Sequence, residues 1–171
     1  MRKSQCAFTL IELLVSVALL AILASLALPS FERLLDGQRL RASSLELRQA
    51  LGLARHAAIA RGAPVLVDNQ DGDWNSGWQV FVDSNGNGRA DAGEAVLHGP
   101  AQVAAGVRIS ANTPLARHVR YVPDGRTEQL GGAFQAGTLS LCHASGQVPS
   151  RRLIVSATGR VRLESGAADD C

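Results

Sequence analysis

The sequence predicts an α+β protein in which one long N-terminal helix, membrane-spanning at first and amphipathic afterwards, packs on an antiparallel β domain. Three observations indicate this fold. An apolar segment covers residues 8–28, a helical periodicity continues to Arg61, and from Pro64 onward short β-branched runs alternate with Gly, Pro, Asn and Asp. The 171 residues suit one membrane helix and one globular domain.

The apolar segment, residues 8–28, contains a single ionisable side chain, Glu12. As a helix that rises 1.5 Å per residue it spans about 30 Å, the thickness of the hydrocarbon core of a bilayer. Arg2 and Lys3 precede it and the next basic residue is Arg33, so the positive-inside rule leaves the N-terminus in the cytoplasm. A cleaved secretory signal is the weaker interpretation, because the apolar run is long and no clear small-x-small site follows it.

The helical pattern resumes after Pro29 and ends at Gly62 and Pro64, which stop helices. One face of this part is apolar and a second face repeats arginine every seven residues. The apolar positions are Leu40, Leu47, Leu51, Ala54 and Ala58, and the arginines are Arg41, Arg48 and Arg55. We therefore expect the apolar stripe to lie on the globular domain.

The remainder of the chain predicts eight short strands separated by turn-forming residues. They cover residues 65–67, 77–82, 95–97, 107–109, 119–122, 138–141, 152–155 and 161–163. We expect these strands to pair in an antiparallel manner.

Residues 2–12 resemble the class III signal of type IV pilins and of the pseudopilins of type II secretion: a short basic leader, a small residue, then Phe-Thr-Leu-Ile-Glu. The resemblance implies a type IV pilin-like fold. It also implies that a prepilin peptidase cleaves between Ala7 and Phe8 and that the new terminus is N-methylated. Ala7 departs from the family, which usually has Gly there. Pro29 follows Phe8 by 21 residues, where pilins commonly carry a helix-kinking proline.

A second resemblance lies in the middle of the chain. Residues 74–78, Trp-Asn-Ser-Gly-Trp, and the following Val80, Phe81, Val82, Asp83 and Asn85 resemble the core of the GspH/FimT group of minor pseudopilins and pilins. Together the two resemblances imply a leader at 1–7, a transmembrane helix at 8–29, its amphipathic continuation at 30–62 and a periplasmic β domain at 63–171. The partners implied are other (pseudo)pilins, the peptidase and inner-membrane lipid, first in the bacterial inner membrane and then in a pilus or pseudopilus. A signal-anchored periplasmic binding module is the alternative, and it predicts no cleavage.

Glu12 requires its own explanation, because a carboxylate in a membrane helix costs a few kcal/mol unless it is paired or hydrated. The resemblance implies that Glu12 neutralises the N-terminal amine, on Phe8, of a neighbouring subunit during assembly. The alternative is that its side chain reaches the headgroup region.

Cleavage removes Cys6 and leaves Cys142 and Cys171 as an even pair in a compartment where disulfides persist. We expect them to be bridged. The closed loop of about 30 residues would contribute about 3 kcal/mol in the chain-entropy model. Two free thiols are the alternative.

The segment from residue 83 to residue 94 matches the spacing of an EF-hand calcium loop, D-x-N-x-N-G-x5-E. Strands flank it where an EF-hand has helices, so a β-hairpin connection with Asx turns is the alternative. The Ca²⁺ ligands would be Asp83, Asn85, Asn87, Asp91 and Glu94. No other cofactor is expected.

Arginines are concentrated in the last third of the chain, although the mature protein is almost neutral overall. Thr158 and Gly159 predict a hairpin turn, and strand alternation then puts Arg160 and Arg162 on one face. With Arg151 and Arg152 they would form a patch that binds the phosphates of double-stranded DNA without reading its sequence. Residues 159–162 also resemble a G-R-x-R motif of FimT-type minor pilins, which implies DNA capture, with a DNA receptor for natural transformation as the alternative main role. A solvated hairpin face is the competing interpretation.

Catalytic signatures are missing from the sequence. His56, His98, His118 and His143 are scattered, and neither a G-x-S-x-G segment nor a histidine pair with metal-binding spacing occurs. We therefore expect that the protein is not an enzyme and that it functions as a subunit of an assembly.

Overall fold

The computed structural model describes residues 9–168. Its one α-helix in this range, α1, covers Leu10–Arg61 and has Pro29 inside it. The helix ends at Gly62, which has φ +64° and donates its N–H to the carbonyl of Ala58 at 3.0 Å. A glycine in the left-handed region after the last turn is a common way to close a helix. The chain divides between Leu35 and Asp36 into two compact units, which are described separately.

The N-terminal unit is helical from Leu10 to Leu35. Its large apolar side chains are exposed along the whole apolar segment, for example Ile11 at 70% and Leu26 at 71%. By length and composition this is a helix that can cross a membrane, and none of its most apolar stretch is buried within the chain. Such a surface needs lipid or other apolar helices around it.

The globular unit contains the rest of α1 and eight strands. Each of the eight predicted strands is present. Their bounds are β1 Val65–Asp68, β2 Trp78–Val82, β3 Val96–Ala101, β4 Val107–Ala111, β5 His118–Tyr121, β6 Gly137–His143, β7 Arg151–Val155 and β8 Val161–Ser165.

The strands form two four-stranded antiparallel sheets, in the orders β3-β2-β1-β5 and β4-β6-β7-β8. In the first sheet β1 is central and its short run is buried on both faces. In the second sheet β8 is an edge strand. Alternation along β7 buries Leu153 and Val155 and turns Ile154 to the other face.

The apolar stripe predicted for α1 is confirmed. Leu40, Leu47, Leu51, Ala54 and Ala58 are each at most 1% exposed. They belong to one core with inward-facing residues of both sheets. The arginine face of the same helix points away from this core, since Arg41 and Arg48 are exposed and Arg55 is half-buried. The predicted α+β architecture, a long helix packed on antiparallel sheets, is thus what the structure shows.

Candidate functional site

Two of the three residues that the resemblance assigned to processing and assembly, Ala7 and Phe8, lie outside the described residues. Glu12 lies in the first turn of α1 and is exposed. Thr9 stands just before the helix, and its Oγ1 accepts a hydrogen bond from the backbone N–H of Glu12 at 3.3 Å. Thr9 and Glu12 have the spacing of a capping box, a sequence signal for the start of the helix that was not among the predictions. Glu12 therefore occupies a position where the helix dipole favours a negative charge.

The hairpin of β7 and β8 turns between Ser156 and Arg160, as predicted. Ser156 and Arg160 pair through the N–H of Ser156 at 3.0 Å, and Gly159 donates its N–H to the carbonyl of Ser156 at 2.8 Å. Gly159 has φ +74°, and a Cβ there would overlap the carbonyl oxygen of Gly125. The first residue of the G-R-x-R segment is therefore a glycine for two independent reasons, conformation and close approach.

Arg160 and Arg162 are brought together beside this turn. Both are exposed, and they line a surface depression of about 360 Å³ together with Ile154, Ser156 and Thr158. The lining contains no carboxylate. Glu164 approaches Arg162 from the next position on the same face, with Oε1 3.6 Å from Nη2, and this exposed pair contributes little binding energy.

Arg151 and Arg152 lie at the opposite end of the hairpin. In the register of β7 and β8, Arg151 is opposite Ser165 and Arg152 is opposite Glu164. Alternation places Arg151 on the face of Leu153 and Val155, not on the face of Arg152. Arg152 therefore shares a face with Arg162, next to Glu164, and Arg151 lies on the other face, while the depression at the turn is lined by Arg160 and Arg162. DNA binding by these arginines stays a prediction.

A second depression, which we name the α1 groove, lies between α1 and the same turn. It has a volume of about 200 Å³. Its arginines come from two elements, Arg48 and Arg55 from the helix and Arg160 from the hairpin. The remaining lining residues are Leu51, Gly52, His56, Tyr121, Gly159 and Val161. The heptad repeat of arginine on α1 was the sequence signal for this surface, but only the fold brings Arg160 to it.

Arg55 connects three segments of the chain. Its Nε donates to the carbonyl of Gly125 at 3.1 Å and its Nη2 to the carbonyl of Thr158 at 3.3 Å. Tyr121 is fully buried beneath, and within residues 9–168 its hydroxyl has no hydrogen-bond partner. Burial raises the pKa of Tyr121 far above its usual range, against a smaller opposing effect of Arg55. The hydroxyl therefore stays protonated at neutral pH.

The loop predicted to bind calcium connects β2 and β3, and its polar groups bond to one another. Asn85 Oδ1 accepts from the N–H of Asn87 at 3.0 Å, and Asn87 Oδ1 accepts from the N–H of Arg89 at 2.7 Å. Both amide groups also donate to Asp91 Oδ2, at 2.8 and 2.6 Å, which lowers the pKa of Asp91. These are the Asx turns of the hairpin alternative.

The two other carboxylates of the loop also have partners. Asp83 is buried, accepts from the N–H of Gly88 at 3.2 Å and lies 3.9 Å from Arg120 Nε. Glu94 accepts from the N–H groups of Ser84 at 2.7 Å and Asp91 at 3.2 Å. Between residues 9 and 168 the structure has no cluster of three or more His, Cys, Asp or Glu side chains suited to a metal. Calcium binding stays a prediction.

Cys142 lies on β6, and Cys171 lies outside the described residues. Cys142 and Ala168 line the same surface depression of about 340 Å³. Next to Cys142, His143 is nearly buried, with Nδ1 3.3 Å from the carboxylate of Asp36 and 2.9 Å from Ser145 Oγ. Ala168, which is three residues before Cys171 in the sequence, therefore lies beside the same depression as Cys142.

Two protein-family models match this sequence. A family model described as type II transport protein GspH matches residues 44–159. The chain belongs to the GspH family. A second model, described as the prokaryotic N-terminal methylation motif, matches residues 2–28 of this GspH family member. Both matches confirm the resemblances in residues 2–12 and 74–85.

Solved structures share the fold of this GspH family member. The type IV minor pilin FimU of Pseudomonas aeruginosa aligns with a TM-score of 0.52 at 20% identity, over 74% of this chain and 89% of FimU. The minor pseudopilin EpsH from the type 2 secretion system of Vibrio cholerae aligns with a TM-score of 0.55 at 14% identity, over 74% of this chain and 97% of EpsH. No curated protein sequence matches the chain significantly.

Proposed function

We propose that this GspH family member is a minor pilin or pseudopilin that assembles through its N-terminal helix with other (pseudo)pilins, at the tip of a type IV pilus or of the pseudopilus of a type II secretion system. Before assembly, residues 8–29 hold it in the inner membrane with residues 63–171 in the periplasm. A prepilin peptidase cuts between Ala7 and Phe8. The N-terminal methylation motif and the membership of the GspH family support this proposal.

The position of Glu12 is the observation that supports the assembly role. It is the one carboxylate of the apolar segment, residues 8–28, and it lies in the first turn of α1, near the place where the cut would create an amine. In lipid an ion pair between that amine and a carboxylate is favoured because neither charge is then left without a partner. A pair between neighbouring subunits would set the axial register of the helices.

The experiment is coexpression of the full chain with a prepilin peptidase and neighbouring pilins, followed by intact-mass measurement and co-purification from membranes. We expect loss of residues 1–7 and addition of one methyl group. Glu12→Gln keeps the shape of the side chain but removes the charge, so it should be cut normally and co-purify with the other pilins at about a tenth of the wild-type level. Glu32→Gln, on the same helix beyond the apolar segment, is the matched control. An uncut wild-type chain would favour the signal-anchored periplasmic module instead.

A second function, capture of double-stranded DNA, is favoured by the depression at the hairpin turn. Two exposed guanidinium groups, Arg160 and Arg162, line it without any carboxylate. Guanidinium groups bind phosphate oxygens through two parallel hydrogen bonds. Because such contacts ignore the bases, binding would be independent of sequence and would weaken steeply with salt.

The test of DNA capture uses the full chain in an uncharged detergent and a labelled duplex. Replacing both Arg160 and Arg162 by Gln should abolish retardation of the duplex. The control replaces Arg39 and Arg89 by Gln, which removes the same charge from positions outside the depression, and should leave retardation nearly unchanged. Equal loss in both double variants would show that only net charge matters.

We also propose that Cys142 is bridged to Cys171. The support is the position of Ala168, which lines the same depression as Cys142 only three residues before the final cysteine. Three residues of extended chain reach about 10 Å, so the final cysteine stays within that distance of Ala168. The bridge would hold the C-terminal tail on β6.

A further inference from the structure

We propose that the phosphate-binding surface does not end at the hairpin but continues onto helix α1, where Arg48 and Arg55 bind a second phosphate in the α1 groove. The inference rests on the proposed DNA capture, since it assigns this groove to the same phosphodiester chain. Arg160 lines both depressions, so one strand of phosphates crossing the turn would contact both.

Charge is the first argument. The α1 groove is lined by three arginines and one histidine and by no carboxylate. Like charges converging from two elements repel each other, and an anion between them removes that cost. Arg48 and Arg55 are two helical turns apart, which places both guanidinium groups along one edge of the groove.

Preorganisation is the second argument. Arg55 is held by the carbonyls of Gly125 and Thr158, so little side-chain entropy is lost when its guanidinium binds a ligand. Arg48 is exposed, so it can turn toward an incoming phosphate.

Tyr121 supplies the third and most specific argument. Its side chain is fully buried, lines the groove and has a hydroxyl without a hydrogen-bond partner among residues 9–168. A buried hydroxyl without a partner costs about 1–3 kcal/mol. A phosphate oxygen in the groove would accept this hydrogen bond and recover that cost once the side chains that cover the hydroxyl move aside.

Gly52 is the fourth argument. It lies inside α1, where glycine is less favourable than alanine by about 1 kcal/mol. No atom lies within 4 Å of the position that a Cβ would take, so packing does not require the glycine. Because Gly52 has no side chain, the groove stays open between Arg48 and Arg55. A longer side chain at this position would occupy the space that the phosphate needs.

The test measures affinity of the full chain, in uncharged detergent, for a fluorescent duplex across a range of salt concentrations. Arg48→Gln should weaken binding and reduce the slope of log K against log salt by about 1, the loss of one phosphate contact. Gly52→Glu should weaken binding about tenfold, because it places a carboxylate in the groove while improving helix propensity. Melting temperatures should show that both variants are folded.

Two matched controls separate position from bulk and charge. Arg41→Gln removes the same charge one heptad earlier on α1, outside the groove, and should leave the salt slope unchanged. Gly52→Gln adds nearly the same volume as Gly52→Glu without the charge, and should weaken binding less. Unchanged affinity in both Arg48→Gln and Gly52→Glu would overturn the inference even where replacing Arg160 and Arg162 abolishes binding.

Inorganic phosphate is the probe that separates this inference from DNA capture. Titration followed by NMR should shift the side-chain Nε–H signal of Arg55 and the ring signals of Tyr121 in the wild type, and not in Gly52→Glu. If phosphate binds in the groove but the duplex does not bind, the groove is an anion site and DNA capture is overturned. No shift and no DNA retention would overturn both.

Discussion

Gly159 packs against the carbonyl oxygen of Gly125 more closely than any residue with a side chain could. This contact seats the hairpin turn of β7 and β8 on the turn that follows β5, and Arg55 of α1 donates hydrogen bonds to both turns. The position of Arg160 therefore depends on a backbone contact between two glycines.

Replacing Gly159 by Ala should destabilise the protein by about 2–4 kcal/mol, because positive φ and steric overlap both oppose the new Cβ. Urea unfolding of the full chain in detergent, followed by tryptophan fluorescence, measures this. Gly146→Ala is the control: Gly146 also has positive φ, but nothing lies within 4 Å of its Cβ position, so the cost should be about 1–2 kcal/mol. Equal costs at both positions would contradict the contact.

The two tryptophans of residues 74–78 should respond differently to replacement by Phe. Trp74 Nε1 donates to the carbonyl of Leu115 at 2.9 Å, whereas Trp78 Nε1 is buried without a partner among the described residues. Both changes remove the same volume from buried sites, but only Trp74→Phe leaves a buried carbonyl unsatisfied. It should cost about 1–2 kcal/mol more than Trp78→Phe in free energy of unfolding. The reverse order would show that cavity shape outweighs the hydrogen bond.

Stability should decrease as the pH falls below about 6.5, in part because of His118. Burial lowers the pKa of His118, while Asp68, its cross-strand partner, opposes this and Arg117 and Arg120 reinforce it. The unfolded chain then takes up a proton at a higher pH than the folded protein, so stability is lost with acid. Asp68 acts oppositely: burial raises its pKa, so protonating it at lower pH favours the folded state.

The measurement compares urea midpoints at pH 7.5 and 5.5 for the wild type and for His118→Gln. The variant should lose less stability between these two values, since His56, His98 and His143 are unchanged and cancel in the comparison. An identical pH dependence would mean that His118 does not contribute to it.

The predicted disulfide should be visible as sensitivity to reductant. Reduction should lower the free energy of unfolding of the wild type by about 3 kcal/mol, the value for a closed loop of about 30 residues. The variant with Ser at both Cys142 and Cys171 should have the same stability with and without reductant. Labelling of both cysteines by a thiol reagent in the oxidised folded protein would show that they are free.

The sequence was sufficient for the long helix and the eight strands, because each rests on local patterns. A 3.6-residue repeat identified the buried face of α1 from Leu40 to Ala58, and short β-branched runs between turn residues identified the strands. The turn at Gly159 followed from the same chemistry. The family was also visible in the sequence, because residues 2–12 carry contiguous chemistry that needs no tertiary contact.

Surfaces were harder to predict, because they depend on residues that are distant in the chain. Four arginines close together in sequence, Arg151, Arg152, Arg160 and Arg162, were expected to form one patch. Strand register puts Arg152 on the face of Arg162, opposite Glu164, and alternation puts Arg151 on the other face. Conversely, nothing local connects Arg48 with Arg160. Only the packing of α1 against the turn of β7 and β8 places both in one groove.

Local sequence by itself thus determined the membrane-compatible helix, its apolar stripe, the strands and the N-terminal methylation motif, because periodicity and short contiguous motifs are properties of neighbouring residues. Tertiary structure decided which charged groups meet, because that depends on sheet register and on the seating of Gly159 against Gly125. The basic surface of this GspH family member therefore lies where α1 and the hairpin of β7 and β8 meet, and Arg160 lines the depressions on both elements.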